Sequence, residues 1–82
     1  WDVSNVTRMD LMFGYAHEFN QSIGNWDVGN VESMFCMFIS AYAFDQPLND
    51  WNVSHVTNMI GMFEYTENFD QPLDHWDVSH VR

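Results

Sequence analysis

Basic side chains are nearly absent from this sequence. It has no lysine, and only Arg8 and Arg82 stand against twelve Asp and Glu, for a net charge of −10. A nucleic-acid partner is excluded, because phosphate binding needs a basic face. Cysteine is almost missing too. Cys36 alone rules out an internal disulfide framework and any cysteine-cluster metal site, and it reads as a small, semi-buried filler. No stretch nears the roughly 18 continuous apolar residues of a membrane span, and no charged-then-apolar leader is seen. An export signal, if there is one, lies outside these residues. Proline occurs only at Pro47 and Pro72.

What is present is periodic. Shifting the sequence on itself by 25 residues, without gaps, aligns Trp1, Trp26, Trp51 and Trp76 in one column. The same shift aligns Val3/Val28/Val53/Val78, Val6/Val31/Val56/Val81, Met9/Met34/Met59, Met12/Met37/Met62, Phe13/Phe38/Phe63, Phe19/Phe44/Phe69 and Ile23/Leu48/Leu73. A period of this length marks stacked units that bury their apolar faces only against one another. The 17% of aromatic residues, regularly placed, exclude a disordered acidic segment. The chain divides into units 1–25, 26–50 and 51–75 with a partial unit 76–82, a single segment expected to belong to a longer array or an assembly. Neither end changes composition to provide the polar cap such a stack needs.

Within a unit, Val6, Met9, Met12/Phe13 and Ala16 fall at steps of three and four, which predicts a short helix with one apolar face. Ser4 is a candidate cap, and Thr7 with Asp10 resembles a capping box. Gly61 argues that the helix is short and partly 3₁₀. The stretches Phe19–Ile23, Phe44–Leu48 and Phe69–Leu73 then fit a short strand with Phe, Gln and Ile or Leu on its inner face, although Pro47 and Pro72 have no N–H for a ladder. Gln21, Gln46 and Gln71 would either stack as a ladder of amides or face solvent. Parallel strands on one side and short helices on the other give an α/β solenoid, right-handed as such crossovers are.

The segments W-D-V-S-N-V-T, M-x-x-M-F and F-N-Q-S-I or F-D-Q-P-L resemble the BspA-type leucine-rich-repeat surface proteins, including the approximately 25-residue repeats of mycoplasma surface lipoproteins. The resemblance spans the whole chain. It implies a leucine-rich-repeat-like solenoid on a cell surface, with roles in adhesion or partner binding and no shared catalytic motif. The chain departs from the pattern at Gly29-Asn30-Val31-Glu32, His55 and His80.

Residues 25 apart are expected to be neighbours, so columns are candidate sites. Asp2, Asp27, Asn52 and Asp77 form an oxygen-rich column that either caps turns or, less simply, offers calcium its oxygen ligands. Asn20, Asp45 and Asp70 form another. His55 and His80 share a column, but the other two copies carry Asn5 and Asn30, which favours turn bonding over a metal. Asn5, Asn20 and Asn52 head N-glycosylation sequons, which matter only in a secretory setting. An active site is singular, yet Ser, His and Asp here recur in register, so no catalysis and no cofactor are expected.

These readings lead to a non-enzymatic extracellular or cell-surface scaffold for adhesion or protein binding. Its specificity would lie in the columns that vary: Asp10/Phe35/Ile60, Leu11/Cys36/Gly61, Gly14/Ile39/Glu64 and Tyr15/Ser40/Tyr65. Phe35, Ile39, Tyr15 and Tyr65 are the candidate binding residues. The alternative is a structural subunit that stacks end to end with other copies into an extracellular fibre.

Overall fold

Six tight turns make up each unit. In the computed structural model, which describes residues 2–82, the N–H of Val6 bonds the carbonyl of Val3. Met12 likewise bonds Met9, Gly14 bonds Leu11, Ala16 bonds Phe13, Phe19 bonds Ala16 and Trp26 bonds Ile23, all at 3.0–3.2 Å. The second and third units repeat all six. The two ends of an i→i+3 turn lie close together on one side of the chain. Most of these turns begin and end on an apolar residue, so each delivers a pair of side chains to the core.

The turns 9–12 and 13–16 set the backbone conformation. Their third residues, at positions 11 and 15, fall where a turn of type II needs a positive φ. Leu11 (58°), Tyr15 (61°), Cys36 (52°), Ser40 (57°), Gly61 (65°) and Tyr65 (60°) all adopt one. Gly61 does so freely. A left-handed residue with a Cβ costs on the order of 1–3 kcal/mol, and the surrounding structure must hold it there.

Successive units lie side by side in register. The N–H groups of Met9, Leu11, Phe13 and Tyr15 bond the carbonyls of Ser33, Phe35, Met37 and Ile39 at 2.7–2.9 Å. Those of Met34, Cys36, Phe38 and Ser40 bond Asn58, Ile60, Met62 and Glu64 at 2.8–2.9 Å. In this stretch only every second residue donates across, because Met12, Gly14 and Ala16 spend their N–H groups inside turns; just before it the N–H groups of Glu32, Thr57 and Arg82 bond back to the carbonyls of Thr7, Glu32 and Thr57 at 2.7–3.0 Å. Only Arg8, Ser33 and Asn58 pair as isolated parallel bridges.

Burial follows from the stacking. In the middle unit Val31, Met34, Met37, Phe38, Ala41, Phe44 and Leu48 are fully buried between the units on either side. A large apolar side chain so buried contributes about 1.5–3 kcal/mol. The rings form ladders across units, with Phe13, Phe38 and Phe63 spaced 5.6 Å apart and Trp51 parallel to Trp76 at 6.5 Å. Trp1, which begins the tryptophan column, lies outside the described residues. The chain measures 27 × 26 × 22 Å.

The expected α/β, leucine-rich-repeat-like solenoid is therefore corrected to a compact globule of stacked turns. Among the described residues there is no helix, and strand is limited to the isolated bridges. Apolar spacings of three and four suit consecutive turns as well as a helix, and here the positive φ at positions 11 and 15 breaks any helix. Asp10 caps nothing; its carboxylate instead accepts the Ser33 hydroxyl at 2.6 Å and the Phe35 N–H at 3.1 Å. No strand forms at 19–23, since turns at Ala16–Phe19 and Ile23–Trp26 enclose it. The glutamines do not bond one another: Gln46 Nε2 donates to Asn20 Oδ1 at 3.0 Å, and Gln71 Nε2 to Asp45 Oδ1 at 2.9 Å.

Candidate functional site

Most polar columns are consumed by the frame. Oδ1 of Asp2, Asp27, Asn52 and Asp77 accepts the N–H two residues on, from Ser4, Gly29, Ser54 and Ser79, at 3.0–3.1 Å. Each is an Asx-turn, in which a short side chain replaces a backbone partner. The Ser4 hydroxyl and N–H hold the Asp2 carboxyl below its ordinary value. The calcium candidates thus each serve a turn within their own unit. Among the described residues no three His, Cys, Asp or Glu side chains are grouped as metal ligands would be.

A second column spans units. Asn20 Oδ1 accepts the N–H of Asp45 at 2.9 Å, and Asp45 Oδ1 accepts that of Asp70 at 3.0 Å. The Asp70 N–H and the Gln71 amide hold the Asp45 carboxyl below its usual range. The histidines belong to a third. Asn30 Nδ2 donates to the Ser4 carbonyl at 2.8 Å, while Nδ1 of His55 and His80 lies 3.0 Å from the carbonyls of Gly29 and Ser54. A carbonyl only accepts, so Nδ1 carries the proton and the imidazole stands in for the asparagine amide.

Two shallow grooves adjoin this column. One of about 350 Å³ is lined by Asn5, Thr7, Asn30, Glu32 and His55. The other, of about 330 Å³, is lined by Thr7, Arg8, Glu32, Ser33, Thr57 and Asn58. Thr7 was read from the sequence only as a helix cap and Glu32 only as a departure from the repeat pattern; neither they nor Thr57 were read as lining a groove, although Thr7, Glu32 and Thr57 share a column. The sequon residues Asn5, Asn20 and Asn52 are all exposed, but Asn20 and Asn52 use their Oδ1 within the frame. Cys36 is buried.

The columns at 10, 11, 14 and 15 differ from the rest. They carry outward apolar groups: Leu11 is 47% exposed, Ile60 and Tyr15 62%, and Tyr65 64%. Phe35 and Ile39, in the middle unit, are half-buried. Neighbouring units bring parts of these columns together. A Cβ built on Gly14 would lie 3.0 Å from Leu11 Cδ2 and 3.3 Å from Ile39 Cγ2, and the Cys36–Ile60 bond sets Ile60 beside Phe35 on the next unit. Leu11 and Ile60 were not among the binding residues singled out in the sequence. The outer units expose these columns most because each has a neighbour on one side only.

A family model described as "Mycoplasma protein of unknown function, DUF285" matches residues 1–82. The chain belongs to the DUF285 family. No curated protein and no solved structure matches it. The turns, the ladders and the outward face are thus features of one DUF285 chain read on its own physical terms. Among the described residues no helix is long and apolar enough to cross a membrane.

Proposed function

We infer that the chain is a non-enzymatic, extracellular or cell-surface repeat scaffold whose outward apolar face binds a protein partner. One observation carries this reading. The recurring polar side chains are spent on the frame, whereas Leu11, Tyr15, Ile60 and Tyr65 are large apolar groups that stay 47–64% exposed. Exposed apolar side chains gathered on one face mark interaction sites. The whole-chain resemblance to BspA-type surface proteins, for which adhesion and partner binding are implied, supports the same reading. The test is saturable binding of the labelled chain to cells. Saturable, protease-sensitive binding supports the scaffold, and unsaturable uptake or none contradicts it.

A second reading rests on the two ends of the stack. Met59, Gly61, Phe63 and Tyr65 hold the donor positions that Met34, Cys36, Phe38 and Ser40 use, and have no backbone partner among the described residues. Arg8, Asp10, Met12 and Gly14 hold the matching acceptor positions. End-to-end stacking of copies into a fibre would join the two rows. Sedimentation that rises with concentration, together with filaments in electron micrographs, would favour it over the scaffold.

A further inference from the structure

We propose that the face formed by Leu11, Tyr15, Phe35, Ile39, Ile60 and Tyr65 docks a cationic, amphipathic segment of a protein partner. The proposal rests on the scaffold reading and names the chemistry of its ligand.

Three observations converge on this face. The first is that stability does not account for its rings. Tyr15 and Tyr65 sit at φ 61° and 60°, a conformation that glycine adopts without cost, and both side chains are mostly outside the core. The frame gains nothing from an exposed tyrosine where glycine would serve, as Gly61 does in the neighbouring left-handed column. A strained backbone that aims rings outward suits a contact surface.

The second is charge. The chain carries −10 and has only two arginines. The exposed Glu64 borders this face, reaching to 3.2 Å from where a Cβ on Gly61 would stand. Arg8 is spent on Asp10, to which its Nε donates at 3.1 Å, so it offers no free positive charge there. Lysine or arginine on a partner is therefore attracted and acidic partners are repelled.

The third is the pairing of chemistries. Tyrosine faces attract ammonium and guanidinium groups, while the leucine and isoleucines accept the apolar side of an amphipathic segment. Nucleic acid and anionic lipid surfaces do not fit this combination.

The experiment uses a short amphipathic peptide of leucine and lysine and its counterpart with glutamate for every lysine. Binding is followed by fluorescence anisotropy and by backbone amide shifts. The lysine peptide should bind with shifts centred on residues 10–15, 35–39 and 60–65, and the glutamate peptide should not bind. The charge-neutral variant Tyr15→Ser/Ile60→Ser/Tyr65→Ser should weaken binding by about tenfold or more, as loss of interface anchors does. Serine already occupies the left-handed position at Ser40, so the variant keeps the fold. Glu64→Gln should weaken binding more than Asp50→Asn, which makes the same charge change on a turn before Trp51. Unchanged affinity in the triple variant, equal binding of the glutamate peptide, no binding of the lysine peptide, or shifts centred on the Asn30–Glu32–His55 groove would each overturn the proposal. The scaffold reading falls separately, by the absence of saturable cell binding.

Discussion

The indole Nε1 of Trp51 donates to the carbonyl of Ile23 at 3.0 Å, reaching back 28 residues into the preceding unit. Trp76 makes the same bond to Leu48 at 2.8 Å. A bulky ring thereby fills the core while its polar end closes a turn in the neighbouring unit. Trp51→Phe keeps most of the apolar area but removes one of the two bonds that the Ile23 carbonyl accepts, leaving it the Trp26 N–H at 3.1 Å. It is expected to lower stability by about 0.5–1.5 kcal/mol, the net worth of one hydrogen bond, read from the denaturant midpoint. Trp76→Phe should cost less, since Trp76 is only half-buried.

Two glycines should respond differently to a methyl group. A Cβ on Gly24 would stand 2.6 Å from the backbone carbonyl oxygen of Pro47, which cannot move without shifting the second unit. On Gly29 the nearest atom is Oδ1 of Asp27 at 3.2 Å, on a side chain that can yield. Gly24→Ala is expected to destabilise by about 1–3 kcal/mol, as overpacking does. Gly29→Ala should change the thermal midpoint little.

How far the sequence revealed this arrangement is clear from particular residues. Phe13, Phe38 and Phe63 share a column at 25-residue spacing, and their rings are stacked neighbours. The Asp2 column was legible as turn chemistry because Asp and Asn at such positions bond the backbone two residues on. Helix was misread from Val6 to Ala16 because apolar steps of three and four serve a helix and a chain of turns alike. What separates the two is the sign of φ at Leu11 and Tyr15, and neither residue type announces it; only Gly61 hinted at it. The outward face was half legible. Tyr15 and Tyr65 stood out as variable, whereas the exposure of Leu11 and Ile60 depends on which unit has a neighbour.

Acid should weaken the fold through Asp45. The Asp70 N–H and the Gln71 amide hold its folded-state value below the ordinary 3.8. A carboxyl so depressed contributes stability above its unfolded value, and that stability is lost as pH falls through the folded one. The window therefore opens near pH 4 and extends below it. Asp45→Asn keeps the accepting oxygen, as Asn20 does one unit earlier, but does not titrate. This variant should fold normally at neutral pH and lose less stability than the parent in an acid titration followed by tryptophan fluorescence.

Histidine and asparagine should be interchangeable in their shared column. His55→Asn retains a donor toward the Gly29 carbonyl, as Asn30 has toward Ser4. Its midpoint should lie within about 0.5 kcal/mol of the parent, in the range of neutral surface changes. His55→Ala removes the donor and should lower stability more than His55→Asn.

Added salt should raise stability. With −10 spread over so small a chain, self-repulsion opposes the compact state, and roughly physiological ionic strength screens it beyond about 8 Å. The thermal midpoint is expected to climb from low to moderate sodium chloride concentration.

On the scaffold reading, the stack of turns holds its frame internally and offers its apolar face to a partner. Residue-resolved amide hydrogen exchange of the dilute chain tests this most directly. Met34, Cys36, Phe38 and Ser40, bonded to the third unit, should exchange slowly and together, while their counterparts Met59, Gly61, Phe63 and Tyr65 exchange fast. Equal protection of the two rows would contradict the account, since it requires a further layer on the third unit and would favour end-to-end assembly.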